Sequence, residues 1–337
     1  MEKFFFNIMK IYIDYKFTPN PWGGGNQFLK ALRRELFRIN KYTNFISRAN
    51  TIIVNSHHFS YKLFFLYLIK SNLKIIHRID GPISFTRNKK FSHIDKLIYS
   101  FSKNFSDGVI FQSNWSKNKN YKLGFEKKIK STIINNAPDK NIFNKKKNIK
   151  KSHKIKIIST SWSSNLKKGF KYLKYLDDNL NFNKFEITFV GNCPIKFKNI
   201  ITINAVKSKK LAKILNRNNF FLTASRNDPC SNSLLEALHC GLYPIYLDSG
   251  GHNELVKNQG IKFRSRKELL NKIKRIKKPK NYITRKNLLS DINQVKNQYL
   301  KFIRLTNTNK PNLILRFYKI TNFLITLYYI KLKNWLL

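Results

Sequence analysis

Carboxylates are scarce in this chain. Seventeen Asp and Glu stand against 66 Lys and Arg in 337 residues, a formal net charge of +49. No Asp-x-Asp triplet occurs among them, and no metal site is expected. There are three cysteines, Cys193, Cys230 and Cys240, with no Cys-x-x-Cys pair. That odd, scattered set suggests neither a disulfide framework nor a zinc site, and a reducing cytoplasm fits best. No uninterrupted apolar run is long enough to cross a bilayer. The opening Met1-Glu2-Lys3-Phe4-Phe5-Phe6 is broken by Asn7 and Lys10 and is followed by no small-residue cleavage site, so no signal peptide is expected. A Gly-x-Ser-x-Gly elbow, a Walker loop and an internal repeat of solenoid length are also missing.

The apolar share, 42% with 14% aromatic residues, is enough for globular packing, and the length is comfortable for two domains. The basicity invites a nucleic-acid reading. However, Lys and Arg are spread along the whole chain, and no zinc finger, RNA-recognition sheet or basic zipper accompanies them. No specific nucleic-acid partner is expected. Attraction to an anionic membrane surface is the stronger use of such charge, at about 1 kcal/mol per nearby Lys or Arg.

Short apolar strands alternate with helical patterns. The first half reads as strands at 8–14, 51–55, 74–79, 108–112 and 131–135 with helices between them, the first from about Asn26 to Phe37. This is the mark of parallel βαβ units. A basic segment, 144–154, reads as a linker from the first domain, 1–143, to a second, 155–283. There Lys154–Ser161 and Glu186–Val190 read as strands and Lys168–Leu180 as a helix. A last helix, 284–304, precedes a tail, 312–337. In that tail Arg316, Lys319, Asn322, Thr326 and Lys333 form a narrow polar stripe on a helix otherwise filled by residues such as Phe317, Ile320, Phe323, Leu324, Leu327 and Tyr328. Leu332, Trp335 and Leu336 continue the apolar part. Such a helix suits the plane of a membrane surface or packing on the protein.

The most informative stretch runs from Asn227 to Gly241. A strand, Asn219–Ala224, leads into a small polar segment, Asp228-Pro229-Cys230-Ser231-Asn232-Ser233, which becomes an apolar helical run through Leu234 and Glu236. A polar loop opening a helix offers unpaired N–H groups and the positive end of the dipole, suited to phosphate. Asp228 at the mouth and Glu236 two turns in can accept hydrogen bonds from sugar hydroxyls. Together they suggest a nucleotide-sugar site.

This stretch resembles the acidic-x7-Glu motif of retaining glycosyltransferases of the group-1 class (family 4). Gly241–Tyr246 is similar to that family's Gly-x-Pro-Val-Ile strand, and Ser249-Gly250-Gly251-His252-Asn253-Glu254 to its Gly-Gly-x-x-Glu turn. The resemblance implies two Rossmann-like parallel-sheet domains facing a cleft, the GT-B type. The last helix would cross back to the first domain. The implied activity is transfer of a sugar from a nucleoside diphosphate donor to a hydroxyl of a glycan or lipid-linked glycan, with retention of configuration and no cofactor beyond the donor. By the same resemblance, Glu236 binds the donor ribose and Asp228 holds the donor sugar. Residues Cys230, Ser231, Asn232, Ser233 and Leu234 surround the diphosphate.

Other segments match in part. Gly23-Gly24-Gly25 follows the first strand, where Gly24 and Gly25 let backbone approach a ligand. Lys168-Gly169 resembles half of an Arg-x4-Lys-Gly phosphate clamp. Ser163 holds the Arg position, and Lys167 is a candidate substitute. Asp80-Gly81 replaces the family's His-Gly pair, making Asp80 a candidate catalytic residue beside Asp228. His77 reads as a buried core imidazole, and His57 and His58 as loop residues. Asn136–Phe143 resembles the family's segment near the domain junction, and Ser113 matches a frequent Ser at a strand end or serves as a helix cap. A basic nucleic-acid binder and an inactive relative on the same scaffold are the competing readings. The expected location is cytoplasmic, with a peripheral seat on the inner face of the membrane left open by the tail.

Overall fold

The computed structural model describes residues 9–19, 23–146, 152–257, 259–277, 289–308 and 310–335, with side chains as far as residue 330. The extreme N-terminus, residues 20–22, residues 147–151 of the expected linker, the first part of the expected last helix and Leu336 lie outside this description, as do the side chains of Leu332, Lys333 and Trp335.

The first domain opens with β1 (Ile11–Asp14), α1 (Gly24–Arg38), β2 (Thr51–Asn55), α2 (Tyr61–Ile69) and β3 (Lys74–Ile79). It continues with α3 (Ile83–Thr86), α4 (Ser92–Phe105), β4 (Gly108–Phe111), α5 (Asn114–Lys122) and β5 (Ser131–Ile133). The strands pair in parallel in the order β1-β2-β3-β4-β5. An isolated parallel bridge from Tyr42 to Ile11 lies outside β1. The chain thus goes one way from β1 and then returns to β2 on its other side, so the sheet reverses direction at β1. Strands β2 and β3 are almost wholly buried; the Ile52-Ile53-Val54 run of β2 suits a sheet covered on both faces, and β3 buries His77 and Arg78 along with its isoleucines.

The second domain holds β6 (Ile155–Ser161), α6 (Phe170–Asn179), β7 (Phe185–Gly191), β8 (Ile201–Ile203), α7 (Ser208–Leu215) and β9 (Phe220–Thr223). It ends with α8 (Asn232–His239), β10 (Tyr243–Leu247), α9 (His252–Val256), β11 (Ile261–Phe263) and α10 (Arg266–Lys274). Its parallel sheet has the order β11-β10-β9-β6-β7-β8, so the direction of winding reverses between β6 and β9. The expected helix from Lys168 to Leu180 is corrected. A 3-10 turn, Leu166–Lys168, is cut off from α6 by Gly169 at φ 89°.

Helix α11 (Ile292–Leu305) starts later than expected, at Asp291, which forms a reciprocal capping box with Gln294. It returns to the first domain. Val295, Tyr299 and Ile303 share one core with Leu29 and Leu32 of α1 and with Ile13, Ile53 and Ile76 of the sheet. Two lysines of the first domain, Lys74 and Lys130, donate to carbonyls in its last turn, Ile303 and Leu305, where the helix dipole favours a cation. Helix α12 (Leu313–Trp335) packs on the opposite face of that domain, with Ile320 and Phe323 buried against α2 and α4. The Phe323 ring meets Phe59, Phe64, Phe101 and Phe105. The tail therefore does pack on the protein, through one face.

Candidate active site

In open parallel sheets, ligands gather beyond the carboxyl ends of strands where the winding reverses. In the second domain that point lies between β6 and β9. The loop after β6 delivers Lys168 and the loop after β9 delivers Asp228, and the two side chains meet at 3.0 Å. Both loops are braced. A Cβ on Gly169 would lie 2.4 Å from the Ala224 carbonyl oxygen, and Gly169 takes a left-handed conformation that a side chain disfavours. Gly250, at φ 66°, packs so close to the Asp228 backbone that a Cβ would come within 2.2 Å of its carbonyl oxygen, and the Gly251 amide donates to that oxygen at 2.9 Å. Burial alone would raise the Asp228 carboxyl. The Lys168 ammonium, His252 nearby and the Cys230 amide outweigh burial and hold it below the usual carboxylate range.

Helix α8 starts at the same place. Ser231 caps it, its hydroxyl accepting from the Leu234 amide. The amides of Asn232 and Ser233 stand in the first turn, where no intrahelical carbonyl is available to them, at the positive end of the helix. Helix α1 of the other domain points its own N-terminus at this one. Gly24 approaches Asn232 so closely that a Cβ would sit 2.4 Å from the Asn232 Cβ, whereas Gly25 faces open space. Two helix N-termini, each equivalent to roughly half a positive charge, thus converge across the cleft. Glu236, 7% exposed, lines the same cavity with no protein hydrogen bond to its carboxyl among the described residues. Burial pushes it up to about 8.

The cleft between the domains encloses a cavity of about 420 Å³. Gly24, Gly25, Asp80, Lys168 and Asp228 all line it, as do Cys230, Ser231, Asn232, Ser233 and Glu236. Leu234 does not. Its side chain is fully buried in the core beneath α8 and its amide is committed to Ser231, which removes it from the donor contacts. Cys230 borders the cavity, but its sulfur accepts from the Asn136 amide at 3.4 Å, and burial pushes the thiol up to about 12.

Some residues that border the cavity are not singled out by the sequence. Arg78, buried at the end of β3, borders the cavity beside Asp80 and pairs with it at 3.1 Å. Asn55 and Asn136 accept from the same guanidinium at 2.5 and 2.7 Å, and the Phe28 ring lies 4.9 Å from it. The Asn136 amide group in turn donates to Gln112 and, across the cleft, to Asn232 at 3.1 Å. The available signal was a cation inside an apolar strand, Ile75-Ile76-His77-Arg78-Ile79. Trp162 and Arg87 also line the cavity. Ser163, at the nominal Arg position, lines it too, and Lys167 does not serve as the substitute cation: its ammonium donates to the Phe85 carbonyl of the first domain at 2.7 Å. His77 is the core imidazole expected, bonded to Ser102 at 2.8 Å and the Ser56 carbonyl at 2.7 Å. His57 reaches the cavity and stacks on His58. Ser113 caps α5, its hydroxyl accepting from the Ser116 amide. Among the described residues no three His, Cys, Asp or Glu side chains converge as a metal site.

Residues 139–290 match the family model for glycosyl transferases group 1. The matched span holds Lys168, Asp228, Glu236 and Glu254, all of the second domain's part of the site. Solved glycosyltransferase structures share the two-domain GT-B architecture. Anabaena HepE in complex with UDP-glucose superposes with a TM-score of 0.60 at 14% identity, over 93% of this chain and 99% of that one. The catalytic domain of starch synthase IV from Arabidopsis thaliana, bound to ADP and acarbose, gives 0.58 at 12% identity, over 85% and 78%. Sucrose-phosphate synthase from Thermosynechococcus elongatus gives 0.54 at 12% identity, over 92% and 81%. No curated protein matches the chain in sequence. The second domain is thus similar to the group-1 glycosyl transferase model, and the chain as a whole shares the fold of the solved structures.

Proposed function

We propose that this protein transfers a hexose from a nucleoside diphosphate donor to a hydroxyl of a glycan or lipid-linked glycan, with retention of anomeric configuration and without a metal. One observation carries the reading: Lys168, the open N-terminus of α8 and the Glu236 carboxyl share a single cavity between two parallel-sheet domains. The likeness to structures holding UDP-glucose or ADP supports it.

The donor diphosphate sits against the Asn232 and Ser233 amides and the Lys168 ammonium. As the glycosidic bond to it breaks, negative charge grows on the leaving oxygen, and donors fixed beforehand stabilise that charge without reorganising. Glu236 meets the ribose hydroxyls. It retains its proton at neutral pH, so it can donate one hydrogen bond and accept another. Asp228, held ionised, accepts from donor-sugar hydroxyls, and Asp80 faces the sugar from the first domain. Arg78 is a positioning residue that orients Asp80.

The direct test is a panel of nucleotide sugars scored for thermal stabilisation, since a ligand bound only by the folded state raises apparent stability. Turnover then follows with the best donor, and the product anomer is read by NMR. Stabilisation by one donor together with a retained anomer is expected. A protein stabilised by no nucleotide sugar, yet bound to random DNA with a steep salt dependence, would overturn the reading in favour of a nucleic-acid binder. Donor binding without any turnover would mark an inactive relative.

A further inference from the structure

Helices α2 and α12 are each apolar nearly all round, yet each buries only one face. In α2, Leu63, Phe64, Leu66 and Tyr67 are buried while Tyr61, Phe65 and Ile69, spaced i, i+4, i+8, are 55–66% exposed. In α12, Ile320 and Phe323 face the protein. On the opposite side Ile314, Phe317, Tyr318, Ile325, Tyr328 and Tyr329 stand at least 61% exposed. The two helices pack against each other, so their outer faces belong to one surface of the first domain. A helix apolar all round needs cover on both sides, and contiguous apolar patches of this kind mark interaction sites.

Charge decides what covers it. Neither helix contains a single Asp or Glu, and among the described side chains their cations are Lys62, Lys319 and Arg316, the last donating inward to the Tyr67 carbonyl. Apolar and aromatic side chains among cations with no carboxylate suit the headgroup boundary of an anionic bilayer, where Tyr sits with its ring in the acyl region and its hydroxyl in water. The stretch Leu313–Ile330 has a mean hydropathy of 1.2, enough by length and composition to cross a membrane. Its geometry opposes crossing, because Phe323 in the middle of the helix is fixed among the rings of the domain core. The helix lies along the surface.

We infer that the outer faces of α2 and α12 form a docking platform for an anionic lipid surface, which holds the cleft near a lipid-linked acceptor. The acceptor clause rests on the function proposed above; the platform does not.

The test is sedimentation of the full chain with phosphatidylcholine vesicles and with vesicles containing phosphatidylglycerol. The variants are Phe65→Ser/Tyr328→Ser, which removes two exposed rings without touching the Phe323 cluster, and Lys209→Ser/Lys213→Ser on the second domain as a charge control. The expected result is preferential binding to the anionic vesicles, a partition coefficient at least about tenfold lower for the ring variant, and no such loss for the control. Circular dichroism should show both variants folded. Equal loss in both variants would overturn the platform in favour of diffuse charge. So would an unchanged ring variant. A wild-type dimer in light scattering that the ring variant converts to monomer, with no vesicle binding, would give the surface to a second copy of the chain. Donor stabilisation measured in parallel separates failure of the platform from failure of the enzymatic reading.

Discussion

Glu254 of α9 accepts a hydrogen bond from the Trp115 amide at 2.7 Å, from the other side of the cleft. A second comes from the Asn114 amide at 2.7 Å and a third from the Asn114 side chain at 3.1 Å. The second domain thus caps helix α5 of the first with a carboxylate, at the end where the dipole favours negative charge. The bond links the motif turn of one domain to the other domain and holds the cleft in the form seen here.

Glu254→Gln should therefore act on closure more than on folding. It removes charge-assisted bonds of about 1–2 kcal/mol. We expect kcat/KM to fall about tenfold while the melting temperature moves little. A variant with unchanged kcat/KM would show that this cap is not used in the catalytic cycle.

Glu236 sets function against stability. Its folded-state value of about 8 lies above the ordinary 4.5. Between those values the unfolded chain ionises while the folded chain keeps its proton, so stability falls as pH rises from about 4.5 to about 8 and is level beyond. Glu236→Gln has nothing to ionise and escapes that fall. Its melting temperature relative to wild type should rise steadily from pH 5 to pH 8, while donor affinity drops about tenfold or more. Parallel melting curves across that window would remove Glu236 from its buried, uncompensated state.

Lys168→Met leaves the Asp228 carboxylate without its main partner. The lysine is a third exposed, so the stability cost is put at about 1–3 kcal/mol, below that of a fully buried pair. Turnover should fall by about a hundredfold or more, as it does when a fixed donor to a leaving group is lost. Adding Asp228→Asn should recover the melting temperature without recovering turnover. Recovery of both would reduce the pair to a structural role.

Gly24→Ala tests the approach of the two helix ends. The new methyl has no room beside Asn232 as the two domains are arranged here. We expect kcat to drop with the fold intact and to return partly in Gly24→Ala/Asn232→Gly. A chelator control completes the set: turnover should survive excess EDTA, and loss restored by magnesium or manganese would contradict the metal-free mechanism.

Much of this fold was readable in the chain. Thr51–Asn55 stands out as a buried parallel strand because its β-branched residues run without alternation, and Lys74–Ile79 is marked by Ile75, Ile76 and Ile79. The motif helix α8 follows from a polar cap, an apolar face and a stopping glycine. Arg78 was hidden because a charge in an apolar strand gives no hint of which loops will meet it: its partners Asn55 and Asn136 lie 23 and 58 residues away. The role of Glu254 was hidden for the same reason, with Trp115 139 residues distant. Gly169 was read as part of a helix because its neighbours have good helical patterning. Only its close packing on Ala224, just after β9, requires the break.

The return of α11 and α12 to the first domain carries a consequence for synthesis. Val295, Tyr299 and Ile303 complete one side of that domain's core and Phe323 the other. Domains generally fold in the order they leave the ribosome. Here the second domain lies wholly between the two pieces of the first and can finish while its neighbour still lacks part of both hydrophobic faces. A nascent chain that had emerged only as far as about residue 280 would present a closed second domain joined to an open, sticky first domain, so the domain begun first is the one completed last.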